Sequence, residues 1–552
     1  MYKRQRQAVV DIETNRIWDT IWMAGVYYPE SDRAVTATTV DELYSLLSGV
    51  DEVIGHNILG FDLPVLRDVW GFSWNRKVSD TLCWGRLLNP SIEGGHSLRA
   101  WAERAGRDLK EDFDPADFDL GLTEKMRDYC HADLRATWSV YEYMETLVEE
   151  GGFSWASVRM EEEVRRITTQ QERDGFAFDF PKACEIHEQH NQRMSDIETE
   201  LQEVFPPIIE ERYSDKTGKR LKDRVTVFNP GSRQQVADRL AAKGAVWKDI
   251  TPTGKPKVDE TTLEQNAHVP EAALVLEYLI LSKRLGMVRS WLDAVGDDGR
   301  IHGRVNTCGA ITGRMTHSSP NMAQIPSESL YRSCFTVSEG NKLVGIDASG
   351  LELRMLAHYM DDPEYTDLIL HGDIHTHNQQ AAGLPSRNDA KTFIYAFLYG
   401  AGNEKIGSIV GKGERAGGKL KAQFLKATPA LSRLIDKVKG MANKRGSLPG
   451  LDGRRVHVRS EHAALNTLLQ SAGAIVMKKA LVIAVAKLAE YGYPYRLVAQ
   501  VHDEFQVEAP EEYAERVGVI FRNAIRQAGR DLELRCPLDG EYMIGDNWSM
   551  TH

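Results

Sequence analysis

A chain of 552 residues is longer than one hydrophobic core organises and implies about three or four folding units. Its 42% hydrophobic and 27% charged content is that of an ordinary globular protein, and six cysteines without a CxxC pair exclude a zinc ribbon or a disulfide framework and fit a reducing compartment. The formal net charge of −12 by itself argues against a phosphate-rich partner, although basic residues gather locally at 216–224, 411–421 and 443–455, each of which also reads as a solvated surface.

The chain starts "MYKRQRQAVVDIE", where Asp11 arrives before an apolar region forms, so no signal peptide is read there, and no apolar stretch is long enough to span a bilayer. Residues 1–152 alternate strand-like segments ("AVVDIET", "IWMAGVYY", "EVIGHN") with helical ones ("LPVLRDVWGF", "MRDYCHADLRATWSVYEYMETLVEE"), an α/β pattern closed by Gly151 and Gly152. In "VVDIET" the period of a strand puts Asp11 and Glu13 on one face, which on spacing alone is also what a solvated edge looks like. Asp62 ends "HNILGFD", and Tyr129 and Asp133 lie one helical turn apart in "YCHAD". Residues 153–300 read as long charged helices interrupted by "FNPGSRQQ" and "TPTGKPKVDE". Short strands return from Ile301 onward, chiefly "KLVGIDAS"; a helical block runs from Ile374 to about Lys444, and strands come again around His502, so one sheet is built from two halves separated in sequence.

In "RLVAQVHDEFQV", His502, Asp503 and Glu504 interrupt an apolar strand pair at its turn, and a water-facing hairpin tip accounts for them if they stand alone. Asp347, ending the apolar run of "KLVGIDASGLELR", is the partner that gives them a second reading. Two carboxylates held together repel unless a cation lies between them, and oxygen donors favour Mg²⁺, a pair of which about 3.5–4 Å apart serves phosphoryl transfer. Arg387, Lys391 and Tyr395 in "RNDAKTFIYAFLYG" fall at i, i+4 and i+8, two cations and a ring along one stripe of a predicted helix. The histidines of "LHGDIHTH" have no cysteine near them and do not read as a zinc site; "GSIVGKG" lacks the Ser or Thr of a phosphate loop.

"DASGLELR", "RNDAKTFIYAFLYG" and "VHDE", in that order, resemble the three polymerase motifs of family A DNA polymerases. The wider text "GRVNTCGAITGRMTH", "NMAQIP", "GDIHTHNQ", "LYGAGNEKIGSIVG" and "LDGRRVHVRSEHAALNTLLQSAGA" resembles the replicative polymerases of T-seven-like phages, densely over 228–552 and more loosely before. The resemblance implies an α+β multidomain chain: an RNase H-like α/β exonuclease domain (1–152), then a right-hand polymerase with a helical thumb (153–300), an antiparallel β palm in two parts (301–372 and 446–552) and helical fingers (373–445). It implies template-directed addition of deoxynucleotides to a primer 3′ end. Asp347 and Asp503 would bind two Mg²⁺ ions with the Ala348 carbonyl, and Glu504 would support them. His375, Arg387 and Lys391 would contact the triphosphate, with Lys391 also protonating the pyrophosphate; Tyr395 would stack on the nucleotide and Glu352 crowd its 2′ position. Arg314, Gln470 and His502 match positions that hold the primer terminus and the minor-groove edge.

Asp11, Glu13, Asp62 and Asp133 resemble the metal-binding carboxylates of DnaQ-like 3′→5′ proofreading exonucleases, where they would hold two further Mg²⁺ ions, with Tyr129 orienting the attacking water. Mn²⁺ is a possible substitute at both centres. The implied partners are primer-template DNA, dNTPs, a phage helicase-primase and a single-strand-binding protein; the implied setting is a monomer in the cytoplasm of an infected host. Residues 205–228 are too short for the thioredoxin-binding insertion of T-seven-like polymerases, so dependence on thioredoxin is not expected. The alternatives are a single-subunit RNA polymerase, opposed by Glu352, Tyr395 and the attached exonuclease, and an inactive DNA-binding scaffold, opposed by intact Asp347, Asp503 and Lys391. Many relatives carry Phe where Tyr395 stands, and a tyrosine hydroxyl replaces a hydrogen bond lost with a missing 3′-OH. Dideoxynucleotides are therefore expected to enter efficiently, and Tyr395→Phe to discriminate against them in a chain-termination assay; equal discrimination by both proteins would contradict this.

Overall fold

The strand Gln7–Thr14 ("QAVVDIET") obeys its period of two: Ala8, Val10 and Ile12 enter one apolar cluster, while Val9 faces the opposite side with Asp11 and Glu13. The computed structural model describes residues 6–107 and 114–552. By contacts the chain divides into two compact units, Met1–Phe176 with Gly303–Pro326 and Val337–His552, and Ala177–His302 with Ser327–Thr336.

In the first unit, Gln7–Thr14 is the middle strand of five, in the order Arg33–Ala37, Ile21–Tyr28, Gln7–Thr14, Glu52–Gly55, Lys77–Asp80. The first three pair antiparallel and the last two join in parallel. The helix Glu124–Gly151, capped by the Thr123 hydroxyl and ended by Gly152 in the left-handed region (φ 70°), packs Met126, Cys130, Leu134 and Val140 onto the face that carries Val9.

The same unit contains a four-stranded antiparallel sheet in the order Arg496–Val501, Glu504–Pro510, Asn341–Ala348, Gly540–Gly545. Its two faces follow from register. Val344, Ile346, Phe505 and Val507 join the core that Ala514, Val517 and Phe521 of the amphipathic helix Glu511–Asp531 complete. On the other face, Gly345 pairs with Gln506 and Asp347 with Glu504. A Cβ at Gly345 would stand 2.1 Å from the Thr551 carbonyl oxygen, so only glycine lets residues 548–552 lie flat on this face. Six helices between Pro363 and Arg445 precede the helix Ala464–Tyr491, which is mostly apolar and buried over much of its length.

A buried ionic cluster ties distant segments of this unit. Glu161, on the helix Trp155–Asp174, receives Lys478 Nζ at 2.6 Å and Arg454 Nη1 at 2.7 Å, and Asp452 takes the other side of Arg454 at 2.7 Å.

In the second unit, Phe180–Val204 and Pro270–Leu292 pack together, with Arg193 paired to Glu277 at 2.8 Å, and Ile197, Leu201, Phe228, Leu240 and Val275 share its core. The reading of 153–300 as helices misses one element here. Ile208–Tyr213 and Arg220–Thr226 form an antiparallel hairpin with a bulge at Glu210 to Arg212, turning through Gly218 (φ 65°). Ile209, Tyr213 and Val225 are exposed, so the ribbon rests on its own ladder and on β-branched residues rather than on a core, and no alternation marks it in the sequence. Among the described residues, no helix is long and apolar enough to cross a membrane.

Removing the carboxylate that two buried cations share leaves Lys478 without its carboxylate partner and Arg454 with Asp452 alone. Glu161→Ala is therefore expected to cost about 3–5 kcal/mol, read as a lowered unfolding midpoint; an unchanged midpoint would show that the cluster contributes nothing net.

Candidate active sites

Antiparallel register brings three carboxylates to one corner of the four-stranded sheet. Asp347 is the cross-strand partner of Glu504. Val501 pairs with Glu504 across a two-residue turn of His502, held in the left-handed region (φ 57°), and Asp503. The turn is stitched to the neighbouring strand, because the Ala348 N–H donates to the Asp503 carbonyl at 3.0 Å. Asp347 keeps solvent-exposed surface, yet desolvation, with Asp503, Glu504 and Glu352 nearby, raises its carboxyl to about 7. Desolvation, then Glu352, raises Asp503 to about 6. Glu504 is buried and differently engaged. The Trp548 indole and, at 2.6 Å, the Gln506 amide donate to its Oε1, and His552 Nδ1 lies 2.9 Å from its Oε2. Neither Trp548 nor His552 is marked by the motif around Asp503; only their place on the sheet face reveals them.

Ser386 caps the helix Arg387–Leu398 and aligns Arg387, Lys391 and Tyr395 on one stripe. Arg387 Nε lies 2.7 Å from Asp373, and this pair holds Asp373 well below the usual carboxylate range. The His375 ring is 6.4 Å from that of Tyr395, and burial, then Arg387 and Lys391, lowers its pKa. Burial raises the Tyr395 phenol, with Glu352, Asp503 and Asp347 adding to the effect, so the Tyr395 end of this stripe lies near the carboxylate corner. Glu352 accepts the Tyr399 hydroxyl at 2.8 Å and lies 3.3 Å from Arg314. The sequence reading omitted Tyr399, although it stands one turn beyond Tyr395. Arg314 and His502 line a small cavity of about 20 Å³ with His317, Lys478 and Gln500; Gln470, half-buried on Ala464–Tyr491, is not among its lining residues.

A second carboxylate cluster lies on the five-stranded sheet. Asp11, Glu13, Tyr129 and Asp133 line a cavity of about 360 Å³. Asp62, the first residue of the helix Asp62–Trp70, is buried behind them, accepts the Ile12 N–H at 3.1 Å and is hydrogen-bonded to Asp11. Desolvation first, then mutual repulsion, raises Asp11 and brings Glu13 to about 8. Desolvation also brings Asp62 to about 7 and Asp133 to about 6, where the Tyr129 hydrogen bond partly offsets it. Asp80, absent from the sequence reading, positions the turn before Asp62: its carboxylate accepts the Asn57 and Leu59 N–H groups at 2.9 and 3.0 Å while capping Thr81–Leu88. "SDTL" carries the N-cap pattern that marks it. Cys130 Sγ also reaches this cluster, 4.0 Å from Asp11 Oδ2.

The model of DNA polymerase family A matches residues 199–550. The chain belongs to DNA polymerase family A. It is similar to the DNA-directed DNA polymerase of Escherichia phage T7, 33% identical over 702 aligned residues covering 99% of this chain and 100% of that protein. It is likewise similar to that of Enterobacteria phage T3, 32% identical with the same coverage. The thermostable DNA polymerase I of Thermus aquaticus is 30% identical over 357 residues, 58% of this chain and 42% of that protein. The POL domain of Pol1 from M. smegmatis, in complex with DNA primer-template and dNTP, superposes with a TM-score of 0.84 over 100% of this chain and 97% of that one, a likeness of fold at 21% identity. This polymerase is thus a family A DNA-directed DNA polymerase of the phage type. Its 552 residues are fewer than the 702 aligned positions, so the phage relatives carry segments that it lacks.

Carboxyls raised above their ordinary 3.8–4.5 to about 6–8 bind protons more tightly in the folded chain than in the unfolded one. Their contribution to stability is complete below the ordinary values and is lost as pH rises through that window. In chelator, the unfolding temperature of this polymerase is expected to fall across that window, and Mg²⁺ to raise it more at the upper end than at the lower. Equal increments at both ends would contradict this account.

Proposed function

We propose that this family A polymerase extends a DNA primer from dNTPs at the Asp347–Asp503 corner and shortens DNA 3′ ends by hydrolysis at the Asp11–Asp133 cluster. The observation that carries the first activity is the convergence of Asp347 and Asp503, at the ends of strands far apart in sequence, near Tyr395 of the helix that also carries Arg387 and Lys391. Carboxylates raised to about 7 and 6 by desolvation and by neighbouring carboxylates are the donor set a pair of hard divalent cations neutralises. Such cations, when bound, stabilise the attacking and leaving oxygens of an in-line phosphoryl transfer.

The chain's own groups do the rest. Asp347 and Asp503 supply carboxylate oxygens, with the Ala348 carbonyl as a further donor. Glu504 supports Asp347 across the strand pair, its own oxygens fixed by Trp548, Gln506 and His552. Arg387, Lys391 and His375 receive the triphosphate, Arg387 by exchanging Asp373 for a phosphate oxygen. Lys391 delivers a proton to the departing pyrophosphate. Tyr395 stacks on the incoming nucleotide, and Glu352 stands where a 2′-hydroxyl would be. Arg314, His502 and Gln470 take the primer end.

In the second centre, Asp11, Glu13, Asp62 and Asp133 supply oxygens for Mg²⁺, and Mn²⁺ suits the same oxygen donors at both centres. Tyr129, hydrogen-bonded to Asp133, orients the attacking water. By likeness to the phage relatives, the helicase-primase and single-strand-binding protein of a replisome are its working partners. Residues 208–226 form only a short exposed hairpin, which supports the reading that thioredoxin is not required.

Primer extension and shortening of single-stranded DNA, read as product lengths on a gel, separate the two centres. Asp347→Asn or Asp503→Asn is expected to reduce extension by on the order of 10²-fold or more while leaving shortening in place. Asp11→Ala with Glu13→Ala is expected to abolish shortening and keep extension. Variants at either centre that lose both activities, or neither, would overturn the assignment.

A further inference from the structure

Between Tyr129 and Asp133, the helix Glu124–Gly151 turns a fully buried thiol toward the carboxylates. Cys130 Sγ is 4.0 Å from Asp11 Oδ2, and one ligand atom each from Asp11, Glu13 and Cys130 lie within 4.8 Å of one another. Among the described residues, this is the one group of three such side chains whose ligand atoms come so close. Space for the sulfur is made by Gly25, the register partner of Asp11 on the neighbouring strand. A Cβ at Gly25 would stand 2.6 Å from Cys130 Sγ and 2.8 Å from Leu134 Cδ1, so any larger residue would lift the helix and withdraw the thiol. The helix–sheet spacing is therefore set where it delivers sulfur to the carboxylate pair.

The chemistry of this donor set differs from that of the polymerase corner. Carboxylates and carbonyls alone suit Mg²⁺, whereas a thiolate beside two carboxylates selects Zn²⁺, Cd²⁺ or Co²⁺. Bonds of about 2.0–2.3 Å to oxygen and sulfur set tetrahedral ligand separations near 3.5 Å, so the three side chains need to close by only about an ångström around such an ion. We propose that Asp11, Glu13 and Cys130 form a thiophilic cation site inside the exonuclease centre, and that filling it with Zn²⁺ halts 3′ shortening at concentrations that leave primer extension running. The ion bonds to sulfur and the thiol proton leaves to solvent, with no change of oxidation state. The functional half of the proposal rests on the exonuclease reading above; the coordination half does not.

The test uses the full chain, freed of metal and titrated with Co²⁺. A near-ultraviolet thiolate-to-cobalt charge-transfer band is expected, displaced by Zn²⁺, absent in Cys130→Ser and retained in Cys184→Ser, which removes the exposed cysteine. Cys130→Ala, whose smaller side chain also fits above Gly25, gives a second variant should serine disturb the packing. In parallel, the Zn²⁺ concentration that halves single-strand shortening is expected to rise by on the order of tenfold or more in Cys130→Ser, at least the loss caused by removing an outer-shell partner of a metal. The concentration that halves primer extension is expected to stay the same. A missing band, a band that survives both Cys130 variants, or equal zinc sensitivity of shortening in parent and variant overturns the proposal. A Cys130-dependent band in a protein that never shortens DNA with Mg²⁺ overturns the exonuclease reading and leaves the cation site standing.

Discussion

Like charges forced together by β-register are the constraint on which the rest of this polymerase depends. Asp347 cannot avoid Glu504, because the two are cross-strand partners, and Asp503 cannot avoid either, because a two-residue turn hangs it on the end of the same ladder. The fold accepts this unfavourable arrangement and surrounds it with opposing interactions. Glu504 is satisfied by three donors or potential donors from its own and later segments; Asp347 and Asp503 keep exposed surface and carboxyls displaced upward. A site that repels itself when empty is primed for cations and for the phosphates that accompany them.

The N-terminal cluster reaches the same condition by a different route. Asp11 and Glu13 share a strand face through the period of two, Asp62 approaches from a helix start, and Asp133 from the face of a long helix laid over the sheet. Its electrostatics are harsher, since Glu13 and Asp62 are almost wholly buried. The helix that supplies Tyr129 and Asp133 also supplies Cys130, so the packing that completes the carboxylate set changes its donor chemistry. Carboxylate oxygen and packing sulfur arrive on one turn of one helix.

Local patterns were legible because their geometry repeats over a few residues. Asp11 and Glu13, the stripe of Arg387, Lys391 and Tyr395, and the turn at His502 and Asp503 each declare their relation within one strand, helix or hairpin. The approach of Asp347 to Asp503 was also legible, but through the order and wording of three motifs rather than through any pattern of hydrophobicity. Relations made by tertiary packing left no such trace. Trp548 and His552 meet Glu504 from the far side of two intervening elements, Lys478 and Arg454 meet Glu161 across hundreds of residues, and Cys130 reads as an ordinary apolar helix position until Gly25 is seen beneath it. The hairpin of Ile208–Tyr213 and Arg220–Thr226 was hidden for the opposite reason: it has no buried face, so no alternation of apolar and polar residues marks it.

The carboxylate of Asp373 divides its labour by atom. Its Oδ1 accepts the His375 and Thr376 N–H groups and so starts the helix Ile374–Ala382, while Oδ2 holds Arg387 and the Thr376 hydroxyl. When Arg387 leaves for another anion, Oδ2 keeps the hydroxyl and Oδ1 keeps the helix start. The arginine is thus on loan: it is kept extended and charged by a neighbour that loses nothing structural in letting it go. Partner exchange at this point trades one charge-assisted contact for another, so the helix bearing Lys391 and Tyr395 is able to change its company without fraying the element beside it.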